Sequence, residues 1–321
     1  MYFKKLFHPE FFQGEKKKNQ YFEGWYYKMV GTSELDTLAL IPGISVNKDD
    51  PHAFIQIFIS RHESNGVSLK TYYVRYELKD FSYGKKDFWI KIGENYFSKE
   101  RIKLDITDPN ISLSGIVEFS NLVPIKKSIW TPNIMGIFGY LNFMECYHGV
   151  ISMSHRLEGT LNINNTQTMF SSGKGYMEKD WGRSFPRAYV WLQSNHFKNS
   201  STSFIFSYAD IPFLGFYFKG LIVNLIYQNK EYRFATYNGA KIKFEQIETS
   251  KVKYIIKNGK YRLEVTAYSE ASIELVSPKK GKMVEQIKEG VSGFIEIKLF
   301  KNKELIYADE GKHAGIEIMK A

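Results

Sequence analysis

The sequence predicts an all-β protein built as two tandem antiparallel β-barrels with few short helices, and three observations carry that reading. Apolar and polar residues alternate through Tyr72–Leu78 (YYVRYEL), Ile111–Ser120 (ISLSGIVEFS), Lys241–Glu248 (KIKFEQIE), Tyr261–Ser269 (YRLEVTAYS) and Gly293–Phe300 (GFIEIKLF), the pattern of half-buried strands rich in β-branched and aromatic residues. Punctuators such as Asn238-Gly239, Asn258-Gly259 and Lys301-Asn302-Lys303 stand between such runs and suit hairpin turns. No long stretch repeats at the helical period of about 3.6 residues; the helical candidates are short, at Pro9–Phe12 and around Ser171. Many antiparallel strands on tight turns call for closure, because an open sheet leaves its edge backbone unpaired. A chain of 321 residues fits two barrels better than one.

The N-terminus, MYFKKLFHPEFFQGEKKKNQ, has early lysines but no sustained apolar core and no small-residue cleavage site, so it reads as no secretory leader. The strand YFEGWYYK then opens the first half. Ser128–Gly149 (SIWTPNIMGIFGYLNFMECYHG) breaks the alternation with Pro132 and several glycines. The polar, turn-rich passage near NINNTQTMFSSGKG places the boundary within residues 155–172, giving an N-terminal barrel of 1–165 and a C-terminal barrel of 166–321. A short echo, YFEGW at Tyr21–Trp25 and YMEKDW at Tyr176–Trp181, is expected to mark the opening of each half. The most apolar window, Ile211–Tyr227, is interrupted by Lys219, Gly220 and Asn224 and falls short of the ~20 residues of a membrane span. It reads as two strands joined at Lys219-Gly220.

An apolar share of 43% supports a globular core without staples. The single cysteine, Cys146, rules out an internal disulfide, and a reducing cytoplasm fits. The net charge of +10 comes mostly from lysine dispersed along the chain. Sequence-specific nucleic-acid readout favours arginine in defined motifs, which are missing, so no nucleic-acid partner is expected. Peripheral attraction to an anionic membrane surface stays open and suits a lipid-like substrate. The oligomeric state is not legible.

Most of the costly side-chain chemistry collects in Gly175–Phe197, GYMEKDWGRSFPRAYVWLQSNHF. On an extended strand alternate residues share a face, which groups Tyr176 with Glu178 and Asp180, and Trp191 with Gln193 and Asn195. The second group suits the wall of a barrel lumen, apolar with a few orienting amides; bonding of both amides to neighbouring backbone is the competing use. In YFEGWYYK the same rule groups Glu23, Trp25 and Tyr27. A carboxyl among aromatic rings in a dry cavity keeps its proton towards neutral pH, as an acid that protonates an alkene must, and ring faces such as Trp25, Trp181 or Tyr176 would steady the cation formed. The bland alternative pairs Glu178 and Asp180 with Lys179, Arg183 or Arg187 across the turn at Gly182 and Pro186. For Trp25 it is a plug at a barrel end. His52 shares a strand face with Phe54 and Gln56, with packing or backbone bonding as its competing use. His148 lies near Glu145 and Cys146, with His155 further on, but the spacings match no common zinc pattern, so no metal is expected. Phosphate-binding loops, nucleophile elbows and dinucleotide fingerprints are not found.

YFEGWYYK, HAFIQIF, IWTPNIMGIFGYLNFMECYHGVISM and above all GYMEKDWGRSFPRAYVWLQSNHF resemble the tocopherol cyclase family, and the resemblance runs on through YNGAKIKFE to HAGIEI. It implies a tandem lipocalin-like (calycin) architecture shared with carotenoid hydratases of the CrtC type. It also implies a reaction free of metal and redox cofactor, in which a prenylated benzoquinol closes to a chromanol after protonation of a side-chain double bond. Carried over position by position, Glu178 matches the family's Glu, whereas Asp180 stands where plant members have Asn. An indispensable acid is not replaceable by Asn, so Glu178 becomes the first candidate acid, with Glu23 as alternate acid or base. Trp181, Trp191, Gln193 and Asn195 match motif positions, as do Glu23 and Trp25. The lysine-rich tract Glu270–Gly293 departs from the plant pattern and leaves the substrate open. The competing expectation is a calycin-type carrier of a hydrophobic small molecule, isoprenoid or quinol-like, that performs no chemistry.

Overall fold

The computed structural model describes residues 2–63, 66–213 and 215–320. After one short helix, α1 (Tyr2–Phe7), the first sheet comprises β1 (Tyr21–Val30), β2 (Asp36–Val46), β3 (His52–Glu63), β4 (Gly66–Glu77), β5 (Phe81–Tyr83), β6 (Trp89–Ile92), β7 (Asn95–Ser98), β8 (Arg101–Asp108), β9 (Ile111–Ser120), β10 (Cys146–Ile163), β11 (Thr166–Met169) and β12 (Lys174–Gly182). The second comprises β13 (Tyr189–Ser194), β14 (His196–Phe197), β15 (Ser203–Phe213), β16 (Phe216–Tyr227), β17 (Lys230–Ala235), β18 (Lys241–Ile247), β19 (Lys251–Asn258), β20 (Tyr261–Tyr268), β21 (Ile273–Lys279), β22 (Lys282–Lys301) and β23 (Glu304–Met319). The expected all-β, lipocalin-like class is what forms.

The first sheet runs β4-β3-β2-β1-β12-β10-β9-β8-β7-β6-β5 and the second β17-β16-β15-β13-β23-β22-β20-β19-β18. Two compact units result: Met1–Phe185 with Val276–Gln286, and Pro186–Leu275 with Ile287–Ala321. Residues 166–185, assigned from sequence to the second half, supply β12, which sits between β1 and β10 in the first sheet. The echoed segments therefore do not open two halves. They pair with each other, Glu23 opposite Trp181 and Trp25 opposite Lys179.

In the first unit apolar side chains from most strands share one core, including Trp25, Tyr27, Leu40, Ile57, Phe97, Val117 and Met177. Burying side chains of this size is worth about 1.5–3 kcal/mol each. The second unit has its own core, with Val190, Leu192, Phe204, Val223, Ile256 and Ile297 among its members.

Several local expectations fail for identifiable reasons. Pro9–Phe12 is not helical, because the carbonyls of Pro9 and Phe11 turn instead onto Lys179 Nζ, at 2.8 and 2.7 Å. Around Ser171 the chain makes a turn. Lys219 and Gly220 lie inside β16, where Lys219 faces Asp210 of β15 at 2.7 Å; the chain reverses between the paired Phe213 and Phe216, with Gly215 in the left-handed region and Leu214 outside the described residues. Asn238-Gly239 links β17 to β18, which do not pair, whereas Asn258-Gly259 and Asn302 do sit in the hairpins β19–β20 and β22–β23.

Candidate active site

On β12 the side chains divide as an extended strand requires. Met177 joins the first core, with Lys179 and Trp181 on the same face, while Tyr176, Glu178 and Asp180 take the other. The flanking strands complete that second face: Tyr26 of β1 is opposite Glu178, and His148 of β10 is opposite Asp180.

Four of these groups form a chain. The Tyr176 hydroxyl donates a short hydrogen bond to Glu178 Oε2. Glu178 Oε2 lies 3.5 Å from His148 Nε2, and His148 Nδ1 lies 2.9 Å from Asp180 Oδ1. Glu178 and Tyr176 are buried, at 4% and 0% exposure, and the Tyr26 ring closes on Tyr176 with centroids 6.4 Å apart. Burial, then the Glu178 carboxylate and its hydrogen bond, push the Tyr176 phenol well above its ordinary range, so it stays a donor. The sequence groups Tyr176, Glu178 and Asp180 correctly, but it misses His148, which stands 30 residues before Glu178. Only the β10–β12 register brings the two together, and no local signal reports that register.

His148, Glu178 and Asp180 also offer ligand atoms within 4.8 Å of one another, as a metal site would. However, the two imidazole nitrogens address different carboxylates. An ion shared by both carboxylates would need a single nitrogen aimed between them, whereas here one nitrogen is hydrogen-bonded to Asp180 and the other makes a longer charge contact with Glu178.

Glu23 sits on the opposite face, where it does something else. Its carboxylate accepts from Gln13 N at 2.8 Å, Gly14 N at 3.0 Å and Tyr21 OH at 2.5 Å, and it is ion-paired with Lys179. Both partners of that pair are fully buried. The Lys179 ammonium lies 4.7 Å from the Trp25 ring centroid and 4.8 Å from that of Trp181. Burial pulls its pKa down to about 8 against the opposing pull of Glu23. The group clamps residues 9–14 onto the sheet, so Glu23 has the environment of an anchor, remote from Glu178's face. The expected partners of Glu178 and Asp180 are likewise engaged elsewhere: Lys179 with Glu23, Arg183 with Gln20 and Arg187 with Asp210.

Trp25 is a core residue, its indole donating to Glu10 O at 2.8 Å and stacking on Phe81 and Phe88. Tyr27 is also core, bonded to Ser98 O at 3.2 Å. Trp181 stacks on Tyr147 at 5.4 Å. His52 bonds Asp50 O at 2.9 Å and Tyr73 OH at 2.8 Å, and burial holds its pKa below the usual imidazole value. Gln56 engages both backbone groups of Val276, accepting from its N–H at 3.1 Å and donating to its carbonyl at 3.4 Å. His52 and Gln56 are thus both held by hydrogen bonds within the fold.

Trp191, Gln193 and Asn195 belong to the second unit and are buried. Val190 and Leu192 take the core of that unit, so Trp191 and Gln193 lie on the strand face turned away from it, and not in an apolar lumen as expected. Trp191 rests on Gly315, where a Cβ would come within 2.5 Å of the indole.

Comparison with known proteins agrees with this architecture. Among proteins of curated function none matches the chain. Similar solved structures include a protein assigned as AttH from Nitrosomonas europaea (12% identity, TM-score 0.53, 93% of each chain covered). Kievitone hydratase from Nectria haematococca is also similar (11% identity, TM-score 0.52, 96% of this chain and 93% of that one), as is CghA solved with Sch210972 (8%, TM-score 0.57, 94% and 89%). At these identities the likeness establishes the fold. The sequence model described as tocopherol cyclase-like matches residues 127–319, more than half of the chain and a span that includes His148, Tyr176, Glu178 and Asp180. The protein belongs to the tocopherol cyclase-like family.

Proposed function

We propose that the protein is a cyclase or hydratase-type enzyme that protonates an isoprenoid alkene, with a prenylated quinol as the substrate class and Glu178 as the acid. The observation that carries this is the chain Tyr176–Glu178–His148–Asp180 on one sheet face, buried at Tyr176 and Glu178 and half-buried at His148 and Asp180. The alkene π electrons take the proton of the Glu178 carboxyl to form a C–H bond and leave a tertiary cation. A phenolic oxygen of the substrate then closes on that cation, and its proton returns to the carboxylate. Atoms and electrons balance without a further reactant. Asp180 holds His148 by Nδ1 so that Nε2 faces Glu178, which gives the acid a neighbour through which a proton can be exchanged. Tyr176 keeps the carboxyl oriented and rings the site with aromatic surface, which suits a transient cation. Family membership and the hydratase among similar folds support the reaction type.

The test is Glu178→Gln with a prenylated benzoquinol, product being followed by chromatography. A positioned acid contributes about 10²- to 10⁴-fold, so a loss of that size is expected with ligand binding and melting temperature retained. Undiminished turnover refutes Glu178 as the acid. A ligand recovered chemically unchanged from wild-type protein under all conditions favours a carrier.

A further inference from the structure

The segment between β9 and β10 carries a concentration of apolar surface that the reaction does not use. Of the thirteen large hydrophobic side chains exposed among the described residues, four lie within fifteen positions: Ile129 (71%), Trp130 (74%), Ile137 and Phe143. Ile129 and Trp130 are the two central residues of a turn that is held firmly. Ser128 and Thr131 exchange backbone hydrogen bonds at 3.0 and 3.1 Å and join hydroxyls at 2.8 Å, and Tyr140 OH donates to Ile129 O at 2.5 Å. A rigid turn that presents an isoleucine and a tryptophan to water incurs a hydration cost with no internal return.

The surroundings are cationic. Lys127 reaches Phe7 O at 2.6 Å and Asn133 reaches Leu6 O at 3.0 Å, which fixes the N-terminal segment beside this loop. That segment brings Lys4, Lys5 and the run Lys16-Lys17-Lys18, and the loop adds Lys126 and Lys127. A cleft of about 750 Å³ has Lys16, Lys17 and Arg183 together with Phe143 around it. Glu15 offsets Lys5, with which it pairs at 3.2 Å, Glu10 is buried and Glu145 of the loop is half-buried, so the remaining lysines leave this surface net positive.

We infer that this face docks on an anionic lipid bilayer, with Ile129 and Trp130 entering the interfacial layer and the lysines over the headgroups. Tryptophan with aliphatic neighbours at a tip, rimmed by lysine, matches the chemistry of that interface: an apolar and aromatic wedge below, cations at the level of phosphate. The inference does not rest on the catalytic reading, because lipid binding is measured without substrate and Glu178→Gln should bind lipid as the wild type does.

The experiment is co-sedimentation of the full chain with vesicles of phosphatidylcholine alone and of phosphatidylcholine with a quarter phosphatidylglycerol. Binding to the anionic vesicles, weakened by salt, is expected. Ile129→Ser/Trp130→Ser should weaken it at least about tenfold, because both wedge residues are lost. Lys16→Gln/Lys17→Gln/Lys18→Gln should weaken it about fivefold per lysine, roughly a hundredfold in all. Both variants should melt with the wild type, since these side chains are exposed. The inference is overturned if neither vesicle binds, if the wedge variant binds anionic vesicles like wild type, or if the loop instead mediates concentration-dependent self-association that the same variant abolishes.

Discussion

Acid should destabilise the first unit through its buried histidines, His155 above all. Its side chain is buried beside the Phe119 ring at a centroid distance of 4.8 Å, with Nδ1 3.2 Å from Ser152 Oγ. The ring occupies the space left by Gly175, whose absent Cβ would lie 2.2 Å from Nε2. Burial drives the imidazole pKa from 6.5 to about 3, so the folded protein keeps it neutral where the unfolded chain takes up a proton. Unfolded chains therefore bind more protons between these two values, and stability rises with pH across that window and falls as the solution is acidified. Each unit of displacement is worth about 1.4 kcal/mol, so acidifying from 6.5 to 5 removes about 2 kcal/mol on this account alone.

The assay compares urea denaturation of wild type and His155→Gln at pH 7 and pH 5. At pH 7 the variant is less stable, having lost the ring packed on Phe119. Carboxylates titrate in both proteins, so the informative quantity is the difference between them, which should narrow by about 2 kcal/mol at pH 5. Parallel acid sensitivity in the two proteins refutes the argument.

Two further outcomes follow from the geometry. Lys179→Met should cost roughly 3–5 kcal/mol by stranding the Glu23 carboxylate, read as a fall in the urea midpoint; Glu23→Gln/Lys179→Met should recover part of it, and additive losses would show that the pair is not coupled. Asp180→Asn should reduce turnover by about tenfold or less, because an amide oxygen still accepts from His148 Nδ1; a loss equal to that of Glu178→Gln would move the acid to Asp180.

Strand periodicity is a local property, and it was legible. The five alternating segments fall in strands to within one terminal residue, and the shared face of Tyr176, Glu178 and Asp180 follows from spacing alone. Pairing is not local. Lys179 reads in sequence as a neighbour for Glu178 or Asp180, yet the pleat turns it to the other face, where β1 presents Glu23. His148 enters the site through the register of β10 on β12, which includes two irregularities between Val150 and His155 that no periodic pattern reports. Placing residues 166–185 in the second half failed similarly: composition marks a turn-rich passage, but that passage is the β10–β11 hairpin and the approach to a central strand.

The first unit takes Val276–Gln286 from a point in the chain far beyond its other residues. Gln56 waits for Val276, Ser45 Oγ donates to Gly281 O at 2.7 Å, and Phe185 N donates to Pro278 O at 3.2 Å. During synthesis, therefore, the N-terminal module is still missing a structural piece when its first 185 residues have left the ribosome, and about a hundred more must emerge before it can close. A gene cut after Phe185 would not yield a self-contained half, because the buried Gln56 amide and Ser45 hydroxyl would be left without their partners.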